Sequence, residues 1–327
     1  MKKRIFSGMR PTGRLHLGNY LGALKNWARL QDDYQCTYCV VDWHALTTGY
    51  EDTAGLKNKV EEMVLDWLAA GLDPKKSVLF VQSSVKQHAE LHLLLSMVTP
   101  LGWLERVPTY KQQLRELSGR DIATYGFLGY PVLQAADILA HKAEYVPVGE
   151  DQVPHVELTR EIVRRFNHFF GNVFPEPEAL LAEVKLLPGI DGRKMSKSYG
   201  NEISMTASSE EIRDKVQRMV TDPARIHVKD PGHPDVCIVY KFYEAVASEM
   251  ATGVAEECSK AGIGCVRCKS RLVDLLDQMI EPLRKRRDEY ARNPDMVRQI
   301  LEEGAKKARK TAEAVVAEAR EAIGLWR

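Results

Sequence analysis

The sequence lacks any hydrophobic run long enough to cross a membrane, and it has almost no net charge. No apolar stretch approaches the roughly 20 residues that a membrane-spanning helix needs. The short basic start is followed too soon by Pro11 and Gly13 to be a signal peptide. With 46 Lys and Arg against 45 Asp and Glu, bulk charge neither requires nor excludes a nucleic-acid partner. We therefore expect a cytoplasmic protein without a membrane span.

Cysteine is scarce, and the chain has no internal repeat and no low-complexity linker. Six cysteines among 327 residues indicate free thiols or metal ligands rather than disulfides in a reducing compartment. A composition of 44% hydrophobic and 28% charged residues is typical of a chain that buries a substantial core. The length suggests one large domain and a smaller one.

Strand and helix signals alternate along the first part of the chain. This alternation is typical of a parallel sheet covered by helices on both faces. After about residue 204 the strand signals fade, and helical patterns remain. We therefore predict an α/β fold, a Rossmann-like doubly wound parallel sheet followed by a helical domain. Strands are predicted at residues 4–9, 36–42, 77–82 and 143–148, and helices through Leu21, Leu24 and Trp27 and at residues 51–70, 152–166, 209–220, 240–290 and 295–323.

A glycine-rich turn after the first predicted strand is a candidate nucleotide site. Open α/β sheets bind ligands beyond the carboxyl ends of their strands, and Gly8, Gly13 and Gly18 permit close backbone approach there. A helix that begins at this turn favours phosphate at its N-terminus. His16 and Asn19 supply neutral donors that could reach the same anion. Taken alone, these residues fit a structural turn with an exposed histidine equally well.

A second loop carries Lys194 and Lys197 together with Ser196 and Ser198. An isolated basic loop is usually a solvated surface. Paired with His16 and Asn19 upstream, the loop is better explained as a mobile clamp for an anion.

These two segments resemble the signatures of class I aminoacyl-tRNA synthetases. Residues 16–19 (HLGN) are similar to the HIGH signature, and residues 194–198 are KMSKS letter for letter. Segments at 7–22, 42–45, 130–139, 146–152 and 221–225 further resemble tryptophanyl-tRNA synthetases, so the resemblance covers essentially the whole chain. It implies an enzyme, a tryptophan–tRNA ligase. Such a ligase activates L-tryptophan with ATP to tryptophanyl-adenylate, releases pyrophosphate, and transfers the aminoacyl group to tRNA(Trp), releasing AMP.

The resemblance implies which residues bind ATP and act in catalysis. His16, Asn19, Lys194 and Lys197 would align the phosphates and stabilise their growing negative charge, with Mg²⁺ on the triphosphate. Gly18 would lie under the adenine or ribose. Arg10 stands where glutamine is frequent in the family; it could add charge near the α-phosphate or be a solvated loop residue. The remaining expected ATP-binding residues are Thr12, Lys111, Gly149, Asp151, Met195 and Ser196.

The resemblance also implies a tryptophan pocket with Asp137 as acceptor of the indole N–H. Phenylalanine would then leave this carboxylate unpaired, and that penalty provides discrimination. From the residues alone, Asp137 could equally be a surface partner of His141. Gln134, where methionine is frequent, could share the indole contact or orient the carboxylate. Tyr130 and Gln152 match positions that hold the ammonium group, Phe6 and His44 match positions that line the ring slot, and Gly8 completes the expected set.

Four cysteines form a second constellation, with the spacing C-x20-C-x6-C-x2-C. This ligand set suits Zn²⁺ or a [4Fe–4S] cluster, and spacing alone favours neither. A subset of tryptophanyl-tRNA synthetases carries a similar motif whose first interval is two residues longer and which binds [4Fe–4S]; the resemblance therefore implies the iron–sulfur cluster, with zinc or four buried thiols as alternatives. Cys36 and Cys39 lie in a predicted strand and are interpreted as core thiols. The four candidate ligands are Cys237, Cys258, Cys265 and Cys268, and Arg267, Lys269 and Arg271 beside them either face a tRNA anticodon or are solvated.

The family architecture implies three regions and a homodimer. Residues 1–204 would form the catalytic domain, with a dimerisation insertion at about 101–170. Residues 205–290 would form a helical anticodon-binding domain with the cysteine cluster, and 291–327 a C-terminal helix packing back on the catalytic domain. Expected partners are tRNA(Trp), L-tryptophan, ATP and a second copy of the chain.

Two other functions are weighed against this one. A tyrosyl-tRNA synthetase shares the fold and both signatures, but segments 42–45 and 130–139 argue against it. A non-catalytic, synthetase-derived RNA-binding or redox-sensing protein would not need His16, Asn19, Lys194 and Lys197 intact.

Overall fold

The computed structural model describes residues 2–116, 122–181 and 187–326. Three parts of the predicted regions lie outside the described residues. Besides Met1, these are 117–121 in the predicted dimerisation insertion, 182–186 in the predicted catalytic domain, and Arg327 at the end of the predicted C-terminal helix. Within the described part of the chain, every helix is too short or too polar to serve as a membrane span.

A five-stranded parallel sheet forms the centre of the molecule, in the order β3-β2-β1-β4-β5. The order reverses between β1 and β4, so the crevice beyond the carboxyl ends of these two strands is where an open α/β sheet binds ligands. The predicted α/β fold is confirmed. The strands are β1 (Arg4–Met9), β2 (Gln35–Val40), β3 (Ser77–Val81), β4 (Tyr145–Val148) and β5 (Glu178–Leu181).

The edge strand β5 was not predicted. It has four residues, pairs only with β4, and both of its ends are exposed. Its apolar run of three residues, 179–181, is too short to distinguish a strand from a helical segment, so its conformation is set by the neighbour with which it pairs.

Fifteen α-helices surround the sheet among the described residues. The predicted helix at 51–70 is shorter than expected: α4 begins at Leu56, and a separate helix, α3, begins at Asp42, which the prediction had placed in a strand. The helices are α1 (Leu17–Asn19), α2 (Lys25–Leu30), α3 (Asp42–Gly49), α4 (Leu56–Ala69), α5 (Gln87–Ser96), α6 (Leu101–Glu105), α7 (Pro108–Glu116), α8 (Tyr125–Leu128), α9 (Tyr130–Leu139), α10 (Val153–Phe170), α11 (Ser209–Gln217), α12 (Ile238–Val246), α13 (Ser248–Ser259), α14 (Cys265–Ala291) and α15 (Pro294–Ile323). A π-helical turn at Tyr20–Leu24 joins α1 to α2.

The sheet separates two hydrophobic cores. One contains the stacked rings of Trp27 and Tyr38 and extends into the helical region through residues such as Phe242. The other contains Phe80 and Phe166 and is closed by the small residues of α15. Cys36 and Cys39 are fully buried free thiols, one in each core, which confirms them as core residues.

Helix α15 packs against β3 and α5, and α14 packs against α4, α11 and α12. The contact of α15 with β3 is close enough to require glycine. A Cβ atom built at Gly304 would lie 1.8 Å from the carbonyl oxygen of Leu79.

Candidate active site

A cavity of about 610 Å³ opens at the carboxyl ends of β1 and β4. All of the residues predicted to bind tryptophan line it. These are Phe6, Gly8, His44, Tyr130, Gln134, Asp137 and Gln152.

A second cavity of about 700 Å³ adjoins the first. The two cavities share Arg10, Thr12, Asn19 and Lys194 as lining residues, so they are neighbours across these side chains. The second cavity brings both signature segments together, since it is also lined by His16, Met195, Ser196 and Lys197.

His16 and Asn19 cap the first helix reciprocally. The Asn19 backbone N–H donates to His16 Nδ1 at 3.3 Å, and the His16 backbone N–H donates to Asn19 Oδ1 at 3.1 Å. Burial, reinforced by Lys197 and Lys194, lowers the pKa of His16 to about 4. The ring is therefore neutral near pH 7, and because Nδ1 accepts, its proton lies on Nε2. His16 thus offers a neutral N–H donor to the second cavity, as its motif predicts.

Gly18 is needed for a contact within the protein. A Cβ atom at this position would lie 3.0 Å from His16 Nδ1 and 3.7 Å from Met195 Sδ. The first distance is tight and the second is an ordinary contact, so the glycine leaves room for the His16 ring beside the buried Met195.

The loop of residues 191–201 is organised by Asn201, which the sequence did not single out. Asn201 is buried; its Nδ2 donates to Asp191 Oδ1 and to the Lys194 carbonyl, and its Oδ1 accepts the Ser196 N–H at 2.8 Å. Lys197 Nζ then donates to the carbonyl of Thr12 at 2.6 Å. These bonds bring the second signature against the first.

Asp137 is fully buried and already accepts three hydrogen bonds. His44 Nε2 lies 2.8 Å from Oδ2, while His88 Nδ1 and Gln82 Nε2 lie 2.6 and 2.7 Å from Oδ1. Burial alone would raise the pKa of Asp137, but the hydrogen bonds from His44 and His88 outweigh it and hold the pKa far below its usual range. A carboxylate has about four lone-pair sites. One site on Oδ2 therefore remains for a further donor.

The alternative interpretation of Asp137 as a surface partner of His141 is wrong. His141 is itself buried, and its Nε2 lies 3.1 Å from His88 Nε2. Its ring stacks on Phe6 with centroids 5.4 Å apart. His88 therefore connects the carboxylate of Asp137 to a ring of the tryptophan slot, and Gln82 rather than Gln134 is the glutamine that orients the carboxylate.

The sequence missed these partners of Asp137 for different reasons. Gln82 follows β3 directly, and the rule that ligands bind beyond strand ends could have found it. His88 lies on α5, and no motif marks it.

Tyr130 and Arg10 are each held by a neighbour. The hydroxyl of Tyr130 lies 2.8 Å from Nε2 of His155, a buried histidine that also lines the first cavity and was not predicted. Burial raises the pKa of Tyr130 to about 12, so the phenol stays neutral. Arg10 Nη2 donates to Thr48 Oγ1 at 2.6 Å at the border of the two cavities.

Three predicted ATP-binding residues, Gly18, Lys111 and Asp151, do not line either cavity. Lys111 is exposed on α7, and Asp151 is exposed, with its Oδ2 accepting from Gln152 Nε2 at 2.8 Å. Gly149, by contrast, lines the first cavity.

The four predicted metal-ligating cysteines are all free and partly exposed. Burial raises the pKa of Cys268 to about 11, with Cys237, Cys258 and Cys265 adding to the effect, so the four thiols share one neighbourhood. Arg225 Nη1 lies 3.7 Å from Cys258 Sγ. Across the described ranges, no three His, Cys, Asp or Glu side chains converge closely enough to hold a metal ion. The geometry therefore does not confirm the predicted metal centre.

Both the sequence and the structure are similar to those of known proteins. The model of a family described as tRNA synthetases class I (W and Y) matches residues 1–281. A tryptophan–tRNA ligase of Thermotoga maritima is 52% identical over 325 residues, which cover 98% of this chain and 99% of the relative. A tryptophan–tRNA ligase of Ralstonia nicotianae is 43% identical, and the match covers 99% of this chain and 98% of the relative. A crystal structure of tryptophanyl-tRNA synthetase from Campylobacter jejuni, complexed with ADP and tryptophan, is 35% identical, with a TM-score of 0.87 and coverage of 98% of this chain and 100% of that one.

Proposed function

The chain belongs to the class I tRNA synthetases for tryptophan and tyrosine, and from this premise we propose how its residues share the reaction. Its relatives and structural neighbours identify the activity as that of a tryptophan–tRNA ligase. It activates L-tryptophan with ATP and transfers it to tRNA(Trp). The observation that carries the assignment of residues is the pair of adjoining cavities, one lined by the buried carboxylate of Asp137 and the other by both signatures.

The second cavity is proposed to bind ATP. The Nε2–H of neutral His16, the amide of Asn19 and the ammonium groups of Lys194 and Lys197 face an anion from several directions. Preorganised donors of this kind stabilise charge that grows on the phosphates during attack by the tryptophan carboxylate. Mg²⁺, when bound, neutralises part of the charge of the triphosphate. Arg10, Thr12, Met195 and Ser196 complete this site, whereas Gly18, Lys111, Gly149 and Asp151 are weaker candidates because they do not line the second cavity.

The first cavity is proposed to bind tryptophan. Asp137 would accept the indole N–H at the remaining site on Oδ2, and Phe6, Gly8, His44 and Gln134 would line the ring slot. Tyr130 and Gln152 would contact the ammonium group from the side of β4. Arg10 and Asn19 line both cavities, and they would hold the carboxylate of the amino acid at the border with the proposed ATP cavity.

Tryptophan-dependent exchange of pyrophosphate into ATP tests this assignment. Lys197→Ala should lower the exchange rate by at least about tenfold, because the variant lacks a positive charge that stabilises the phosphates. The affinity for tryptophan should stay nearly unchanged, because Lys197 lies outside the first cavity. Lys229→Ala, on an exposed loop, is the control. Wild-type exchange in Lys197→Ala would remove this lysine from catalysis, and no exchange in the unmodified enzyme would contradict the proposed function.

We further propose that Cys237, Cys258, Cys265 and Cys268 hold a [4Fe–4S] cluster. Burial raises the pKa of Cys258 and of Cys268, and the neighbouring thiols add to the effect. The cationic core of a bound cluster would instead stabilise the thiolate form of its ligands. The spacing of the four cysteines is similar to that of the tryptophanyl-tRNA synthetases that hold such a cluster, and this similarity favours iron–sulfur over zinc. The cluster would shape the surface around Arg267 and Arg271 for tRNA, whereas Lys269 Nζ donates to the carbonyls of Gln217 and Met219.

The predicted regions and the homodimer are also part of this proposal. Residues 205–290 would bind the anticodon, and α15 would attach the C-terminus to the catalytic domain. Exposed apolar side chains on the helices of the insertion and on α5 support a dimer surface, and sedimentation velocity tests it. We also propose that the enzyme works in the cytoplasm, where ATP and tRNA are found. The exposed side chains are Leu93, Met97, Leu101 and Tyr125.

A further inference from the structure

A buried carboxylate on α4 connects the first signature to the helical region. Asp66 is fully buried, and its Oδ2 accepts the backbone N–H of Leu15 at 2.5 Å. Its Oδ1 accepts Nε of Arg287 at 2.8 Å. Leu15 immediately precedes His16, so Asp66 holds the residue from which the ATP-binding loop continues.

Arg287 completes the connection from the other side. It lies near the end of α14 and is only 5% exposed. Its Nη2 donates to Glu62 Oε2 at 2.6 Å, and the same oxygen accepts Nε of Arg14 at 2.9 Å. Glu62 and Asp66 are one helical turn apart on α4 and lie on the same face of this helix. Together they accept hydrogen bonds from the consecutive loop residues Arg14 and Leu15 and from Arg287 of α14.

The backbone on either side of His16 is also held by hydrogen bonds to a second segment of the chain. The carbonyl of Leu15 accepts from Met205 N at 3.0 Å, and Leu17 N donates to the Ile203 carbonyl at 2.9 Å. Residues 203–205 follow the second signature in the chain. The backbone around His16 is therefore fixed on one side by Asp66 and on the other by the segment that follows KMSKS.

The charge of Asp66 also depends on Arg287. Burial raises the pKa of Asp66, while the Leu15 N–H and the Arg287 guanidinium oppose that rise. A buried carboxylate that lost its cation would tend to protonate, and a protonated oxygen accepts hydrogen bonds poorly. Asp66 and Glu62 also act on Lys197, where their negative charge opposes the lowering of its pKa by burial.

We propose that Asp66 and Arg287 are positioning residues for adenylate formation: they fix Leu15, and through it His16, relative to α14. This inference rests on the proposed ATP site and extends it. Helix α14 begins at Cys265 and is about 40 Å long. Pro282 lies inside this helix, between the cysteine end and Arg287, so Arg287 connects the ATP-binding loop to the last part of α14.

The test compares Arg287→Met, Arg287→Lys and Glu62→Gln with the unmodified enzyme. Lys285→Met is the matched control, because Lys285 lies on the same helix, is 71% exposed and pairs only with Glu281. Exchange of pyrophosphate is measured at varied ATP and varied tryptophan. Rates are expressed per active site, counted from the burst of ATP consumption, so that misfolded molecules do not enter the rate.

Arg287→Met should lower kcat per active site by at least about tenfold, since small misplacements of aligned groups are costly. KM for tryptophan should change by less than about twofold, because Asp66 and Arg287 do not line the first cavity. Arg287→Lys should recover part of the rate, and Lys285→Met should match the unmodified enzyme. A folded Arg287→Met with the original kcat per active site would overturn the inference, and so would a loss confined to the number of active sites.

Glu62→Gln keeps the test decisive if Arg287→Met does not fold. Its side chain is 27% exposed, so the change leaves no buried unpaired charge of its own. We expect kcat to fall by about threefold, because one charge-assisted contact to Arg287 is weakened. An unchanged kcat would overturn the inference. Absence of tryptophan-dependent exchange in both the unmodified enzyme and Lys285→Met would instead contradict the proposed function.

Discussion

Asp137 and His16 have opposite charge states in neighbouring cavities, because hydrogen bonds overcome the effect of burial at Asp137 but not at His16. The Asp137 carboxylate stays ionised because three donors surround it. His16 stays neutral because it is half-buried and faces two lysines. Each residue therefore offers the form that its proposed ligand needs, an acceptor for an indole N–H and a neutral donor for a phosphate.

Asp137→Asn tests the acceptor. The amide has the same shape, but its NH₂ group replaces one of the two acceptor oxygens. This donor would then face other donors, either His44 and the indole N–H or His88 and Gln82. We expect the preference for tryptophan over phenylalanine to fall by at least about tenfold, measured as the ratio of kcat/KM values in pyrophosphate exchange. Asp33→Asn, on the exposed surface, is the control. An unchanged preference would remove Asp137 from indole recognition.

Loops and helices position the site through a few close contacts between elements. Asn201 organises the lysine-bearing loop, and Lys197 attaches that loop to Thr12. On the opposite side of the sheet, Gly304 lets α15 lie directly on β3. Each arrangement therefore depends on a single residue: Asn201 in the loop, and Gly304 between α15 and β3.

Gly304→Ala should therefore destabilise the protein. The added Cβ would lie 1.8 Å from a backbone oxygen of β3, so the helix must move away. We expect a loss of about 1–3 kcal/mol in the free energy of unfolding, as for other overpacked cores, measured by urea denaturation. The matched control is Gly253→Ala on α13, where a Cβ would meet nothing within 4 Å. It should stabilise the helix by up to about 1 kcal/mol. Equal stability of the two variants would show that α15 tolerates the methyl group.

At the scale of the whole molecule, α14 connects the cysteines with Arg287, which lies beside the proposed ATP-binding loop. If the cysteines hold a cluster, its presence fixes the starting end of this helix. The cysteine site and the adenylate site are then two ends of one element.

Iron and sulfide analysis of anaerobically purified protein tests the cluster. We expect roughly four iron atoms and four sulfides per chain. Cys265→Ser should lose the iron, because it removes one thiolate ligand. The core variant Cys36→Ala should keep it. If the folded protein contains zinc and no iron, the cysteines form a zinc site and not a cluster. If it contains neither metal, the four cysteines are free thiols.

Local patterns in the sequence were enough for the fold class and for the two signatures. The four predicted strands depend on short apolar runs, and the helix ending at Ile323 depends on apolar residues spaced by three or four, so these elements are visible without their neighbours. HLGN and KMSKS are equally local, since each motif is a few consecutive residues.

The partners of the functional groups could not be found in this way. Asp137 receives its hydrogen bonds from residues 49 to 93 positions away, on three different elements. Asp66 receives Arg287 from 221 positions away. Lys111 and Asp151 match family positions but lie outside both cavities. A hydrogen bond depends on distance and angle in space, whereas periodicity and composition describe only neighbours along the chain, so these contacts arise when the sheet brings its helices together.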